Sequence, residues 1–185
     1  MRSLPLLALA IPALAGLAPA SARAADFYTE ADLGALIFIG PGAENADPGP
    51  AFGGRIGVGI FSWLSIGGVV NTSTHQAQVP GPSLGQYFQL YQVGAELRLR
   101  ARAGSFGFFA QGGAGYAFIS TNILDAVAIT APDKHNGLAF TGGGGLEYAT
   151  ENPRYAFGLA GAFTEFVDFA SLQAVSVNVY LRYTK

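Results

Sequence analysis

The chain has no cysteine, a single tryptophan, a single methionine, and only 12% Asp, Glu, Lys and Arg among its 185 residues. The missing cysteine excludes disulfides and every thiolate metal or redox site. The shortage of charge is more telling, because a typical soluble domain carries about 25% charged residues. A soluble β-protein needs a polar outer face on nearly every strand, and this chain lacks the residues to make one. Long apolar runs are missing too. Past residue 24 none reaches the ~18 residues of a transmembrane helix. With a formal charge of −2 and no basic cluster, nothing offers nucleic acid a footprint.

The N-terminus reads as a processing signal. Arg2 supplies a positive start, Leu4–Leu17 is apolar, and Ala22-Arg23-Ala24 is a small-x-small cleavage site. Pro5, Pro12 and Gly16 interrupt the run, so residues 1–24 are expected to be a secretory signal peptide. Cleavage would leave 161 residues, one domain over 25–185, and losing Arg2 and Arg23 would take the charge from −2 to −4.

The most informative stretch is Tyr87–Arg102. Read with period two, Tyr91, Val93, Ala95, Leu97 and Leu99 share one face, and Gln92, Gly94, Glu96, Arg98 and Arg100 share the other. A strand produces this separation; a helix would scatter the same residues around its axis. The pattern recurs over Asp26–Ile39, Ala51–Phe61, Leu64–Ser73, Phe106–Ser120, Gly137–Ala149, Arg154–Phe166 and Ser171–Tyr183, which makes eight strands in all. The connections after the first, third and fifth are long and rich in turn formers, such as Pro80-Gly81-Pro82. Those after the second, fourth and sixth are tight. An up-and-down order puts all long loops at one end and all tight turns at the other. Phe27, Trp63, Phe106, Tyr148, Tyr155 and Tyr183 gather towards the tight end, and Phe52, Tyr91, Phe118, Phe140 and Phe163 towards the long one.

Even strand number, ~10-residue alternating segments, unequal loops and aromatic girdles make up the pattern of a bacterial outer-membrane barrel. Open sheet edges are not tolerated in hydrocarbon, so the strands must close. On these features the chain resembles the OmpA-like eight-stranded outer-membrane barrel family over Ala25–Lys185, although its last aromatic, Tyr183, is followed by Thr184-Lys185. The expected fold is all-β, an eight-stranded antiparallel up-and-down transmembrane barrel in the cell outer membrane. Its expected partners are membrane lipids and lipopolysaccharide.

If the apolar faces meet lipid, the polar faces meet one another. They carry Glu30, Asp32, Glu96 and Glu147 with Arg55, Arg98, Arg100 and Arg182, four acids against four arginines. Eight strands enclose a lumen narrow enough for side chains to fill, and buried charges need partners. An ionic network in the tight-turn half is therefore expected, with Glu30 and Arg182 adjacent where first and last strands close. Structural filling is a far commoner role for such charges than a proton or ion path. Inward Gly57, Gly59, Gly113, Gly143, Ala156 and Gly158 suggest water-filled voids, without a pore for sizeable solutes.

Other chemistry finds little support. Gly142–Gly145 lacks the Gly-Lys-Ser/Thr of a phosphate loop and reads as strand glycine. His75 and His135 fall in expected outer loops, with too few convergent ligands for a metal. Neither fits the His-x-Ser pair of the lipid A deacylase barrels, so no nucleophile–base pair supports an enzyme and no cofactor is implied. Outer-loop Glu44, Asp47, Asp125, Asp133 and Asp168 face only Lys134, which suits divalent cations bridging to anionic lipopolysaccharide. The reading is a structural envelope barrel whose loops serve an external partner. A narrow conduit, a lipid-modifying enzyme and a soluble lipocalin-type barrel with inverted faces are the alternatives.

Overall fold

Each alternating stretch forms a strand, and the strands pair in chain order until the last meets the first. The computed structural model describes residues 26–40, 43–78, 87–120, 136–167, 169 and 172–185. The strands are β1 (Asp26–Ile39), β2 (Gly49–Phe61), β3 (Leu64–Gln76), β4 (Tyr87–Ala103), β5 (Phe106–Ile119), β6 (Asn136–Ala149), β7 (Tyr155–Phe166) and β8 (Gln173–Thr184). They make one closed antiparallel barrel, with β1 paired to both β2 and β8. A single 3-10 turn, Ala43–Asn45, interrupts the connection from β1 to β2. The expected signal peptide lies outside the described residues.

Tight turns join β2 to β3, β4 to β5 and β6 to β7, all at one end. The β4–β5 turn needs a left-handed residue and has one, Gly104, with φ of 63°. The longer connections lie at the opposite end, as the up-and-down order requires.

The two faces of the wall have opposite chemistry. On β4, Leu97 and Leu99 are each 52% exposed, whereas the intervening Arg98 is 1% exposed. Leu33, Ile56, Phe108, Leu146, Leu159 and Val179 continue this apolar belt around the outside. Glu30, Asp32, Arg55, Glu96, Glu147 and Arg182 are buried inside. A lipocalin-type soluble barrel would have the reverse arrangement, and that alternative is excluded. An apolar exterior around a polar interior is the solution that hydrocarbon demands.

Two strands run two or more residues further than their sequence signal. β2 begins at Gly49 rather than Ala51, and β3 continues to Gln76 rather than stopping at Ser73. His75 is therefore not a loop histidine. It lies within β3, inside the barrel, 1% exposed.

Candidate functional site in the barrel interior

Three layers fill the lumen. Nearest the tight turns is an ionic layer built by inward positions of β1, β2, β4, β6 and β8. Glu30 sits at its centre, with Arg98 Nη1 at 2.7 Å, Arg182 Nε at 2.5 Å and Arg55 Nη1 at 3.8 Å. Arg55 also reaches Asp32 Oδ2 at 2.5 Å and Glu96 Oε2 at 3.4 Å. Arg98 donates to Glu96 Oε1 at 3.2 Å and to Gln111 Oε1 at 3.0 Å. Arg182 Nη1 lies 2.6 Å from Glu147 Oε2, which links the two halves of the cluster. Buried charges of this kind cost several kcal/mol unless every one is paired, which is why the acids and arginines interlock.

Arg100 is the loosest member. Its Nε stands 3.9 Å from Glu147 Oε1, because Arg102 donates to that oxygen at 2.9 Å. Arg102 continues the inward series of Arg98 and Arg100 by one more step, a position the sequence reading left out. Half-exposed at the barrel mouth, it keeps part of its charge in water.

Aromatic rings complete the layer. The Arg98 guanidinium lies 4.4 Å from the Phe109 ring centroid, and that of Arg182 lies 5.0 Å from Tyr28, distances suited to cation–π attraction. Glycines make room for these rings. A Cβ on Gly57 would come within 2.6 Å of Tyr28 Oη, one on Gly145 within 2.6 Å of Phe109 Cζ, and one on Gly158 within 2.7 Å of the Tyr180 ring. The voids expected at Gly57 and Gly158 are thus occupied by tyrosines. Tyr28 and Tyr180 were legible as inward positions; that each fills the space left by the glycine paired with it on the adjacent strand was not.

The middle layer is a cavity of about 50 Å³ lined by Asp32, Arg55, Glu96, Gln92, Thr141, Asn178 and their neighbours. At ~10–15 Å³ per water it has room for a few solvent molecules and no larger solute. Gln92 donates to Thr141 Oγ1 at 3.1 Å across it.

Towards the long-loop end the lumen turns apolar. Leu36, Phe38, Phe88, Leu90, Ile119, Phe166, Phe169 and Leu172 form a buried cluster that caps the cavity. His75 sits within it, its ring 4.5 Å from that of Phe38 and 5.4 Å from that of Phe88. Nδ1–H donates to the Asp47 carbonyl at 2.9 Å, leaving Nε2 to accept the Ser73 hydroxyl at 2.8 Å. The histidine thereby fastens the β1–β2 connection to the barrel. Sequence reading found no nucleophile–base pair, yet Ser73 and His75 make one, in Ser-x-His order. Both are buried, at 3% and 1% exposure, and the rings of Phe38 and Phe88 pack against the imidazole. His135, Asp125, Asp133, Lys134 and Asp168 lie outside the described residues. No group of three or more potential metal ligands occurs among the described ones.

A closed eight-stranded antiparallel barrel, apolar outside and ionic within, has the fold of the small bacterial outer-membrane barrels. Solved structures with this fold include Neisserial surface protein A (TM-score 0.60, 14% identity, covering 85% of this chain and 96% of that one). Another is Ail, the attachment invasion locus protein of Yersinia pestis, in complex with the heparin analogue sucrose octasulfate (0.55, 11%, 88% and 100%). The N-terminal barrel domain of Pseudomonas aeruginosa OprF is a third (0.50, 9%, 84% and 97%). No family model matches the chain, and a search of curated proteins returns no match. At these identities the likeness is one of fold.

Proposed function

We propose that the chain is an exported structural protein of the Gram-negative outer membrane. Its barrel is the anchor and its long connections present a surface outside. The observation that carries this reading is the opposition of the two faces: exposed Leu97 and Leu99 alternate with buried Glu96 and Arg98 on a wall with no free edge. Water would destabilise the belt and hydrocarbon stabilises it. Lipids and lipopolysaccharide are then its immediate partners. Catalysis is not part of the proposal: Ser73 and His75 are both buried, and their hydrogen bonds serve the packing of the β1–β2 connection. A conduit has less support, since the ionic layer and the apolar cap both fill the lumen.

The test is fractionation with heat-modifiable gel mobility. Outer-membrane recovery and a faster-migrating unheated species, the mark of a closed barrel, are expected. Recovery in the soluble fraction without detergent would overturn the proposal.

A further inference from the structure

On β3 and β4 the outer face turns polar near the long-loop end. On β3 the outward series runs Leu64, Ile66, Val70 and then Thr72, Thr74, Gln76, while the inward series passes from Asn71 and Ser73 to His75. On β4, outward Leu99, Leu97 and Val93 give way to Tyr91, Gln89 and Tyr87, while inward Arg98, Glu96 and Gln92 give way to Leu90 and Phe88. Thr72 and Tyr91 are paired in register, so both strands change character at one height. A wall that is apolar outside and polar inside suits hydrocarbon; the reverse suits water. From Leu99 to Tyr91 the tilted strand climbs roughly 20 Å, most of an apolar band ~25 Å tall. The residues beyond Tyr91 therefore stand at the headgroup level and above it.

This collar has a definite chemistry. Tyr91 and Phe118 stack with centroids 5.0 Å apart at 17°, and the Tyr91 hydroxyl donates to Gln89. Tyr87 is 57% exposed, and Thr74 and Gln76 lie beside it across the strand pair. None of these groups is charged. Every described Arg and Lys lies towards the tight-turn half, and the sequence's long connections hold one Lys or Arg, Lys134. Phosphate or sulfate recognition calls for guanidinium or ammonium groups, which this collar lacks. Flat aromatic surfaces bordered by amides and hydroxyls instead match a neutral pyranose, which offers an apolar C–H face and a rim of hydroxyls.

We propose that the outer collar of β3, β4 and β5 docks the uncharged sugar residues of the outer-leaflet glycolipid. The proposal rests on the outer-membrane reading above. The test inserts the full barrel into nanodiscs containing rough lipopolysaccharide and measures glycolipid retained per barrel, by native mass spectrometry after detergent exchange. One arm adds EDTA, a second uses phosphatase-treated lipopolysaccharide, and a third uses the Tyr87→Ala/Gln89→Ala/Tyr91→Ala variant. Retention is expected to survive EDTA and dephosphorylation and to fall about fivefold in the variant, the scale of losing aromatic contacts. If the triple variant does not close, Tyr87→Ala alone carries the comparison. Release by EDTA or phosphatase would show that phosphates hold the glycolipid, and equal retention by variant and wild type would show adventitious lipid; either overturns the proposal. A wild-type barrel that fails to insert at all speaks against the outer-membrane reading instead.

Discussion

Arg182 of β8 and Glu30 of β1 stand opposite each other in register where the barrel closes, Nε 2.5 Å from Oε1. They are 152 residues apart in the chain, so this seam joins the most distant segments the fold brings together. Slipping the seam by one residue would turn either Glu30 or Arg182 out towards the apolar exterior, because the side-chain period is two. The pair therefore specifies register as well as neutralising charge. Glu30→Gln removes the carboxylate shared by Arg98, Arg182 and Arg55 and leaves guanidinium groups buried without their anion. The expected loss is ~3–5 kcal/mol, the cost of breaking a buried pair. It is read from urea unfolding in lipid vesicles, with Arg182→Met/Glu30→Gln recovering part of it. A wild-type unfolding curve for Glu30→Gln would show that the seam does not depend on this charge.

Gly57, Gly145 and Gly158 leave room for aromatic rings. Gly57→Ala places a methyl 2.5 Å from the Ile66 carbonyl oxygen and 2.6 Å from Tyr28 Oη, so both the β2–β3 backbone and the Tyr28 ring against Arg182 must shift. Overpacking of this kind costs about 1–3 kcal/mol. Gly142 faces outward with nothing within 4 Å of its ideal Cβ, so Gly142→Ala is expected to be silent. Melting of the heat-modifiable species compares the two. Equal melting temperatures would remove the claim that Gly57 is a ring seat.

Much of the wall was legible because period-two alternation carries its own orientation. Once Leu97 and Leu99 were assigned to lipid, Glu96 and Arg98 had to face inward. The same logic applied to β1 and β8 set Glu30 and Arg182 on one inner surface. What escaped was the upper lumen. Leu36 and Phe38 occupy inward positions on β1, but their apolar character hid them beside outward Ile37 and Ile39. His75 was misplaced for a related reason: Thr74 and Gln76 looked like loop, whereas they are the outer face of a strand that has left hydrocarbon. Alternation reports that two faces differ. It does not report that the solvent outside has changed.

His75 holds the cap by shape and by two hydrogen bonds, so His75→Ala should act on the cap before the barrel. The substitution leaves a hole between Phe38 and Phe88 and deprives the part-buried Asp47 carbonyl and the buried Ser73 hydroxyl of their partner. Lost packing and orphaned polar groups together suggest about 2–4 kcal/mol. Faster proteolysis within residues 43–48 is expected, with the heat-modifiable barrel intact. Unchanged cleavage would mean that the connection is held by something other than this histidine.

Conduction would have to cross two barriers in series. An ion entering from the tight-turn end meets Arg98, Arg182 and Glu30, side chains that are paired with one another and occupy the lumen. One entering from the other end meets Phe38, Phe88, Leu90 and Phe166, an apolar layer that disfavours a water file. The space between, about 50 Å³, has room for only a few waters. Wild-type protein in planar bilayers is therefore expected to pass no steady current. Phe88→Ala/His75→Ala should also remain silent, because thinning the cap leaves the ionic layer in place. Only when Arg98→Ala and Glu30→Ala are added should discrete openings appear. A steady conductance from the unaltered barrel would mean that the interlocked charges form a path, and the structural reading of the lumen would have to be abandoned.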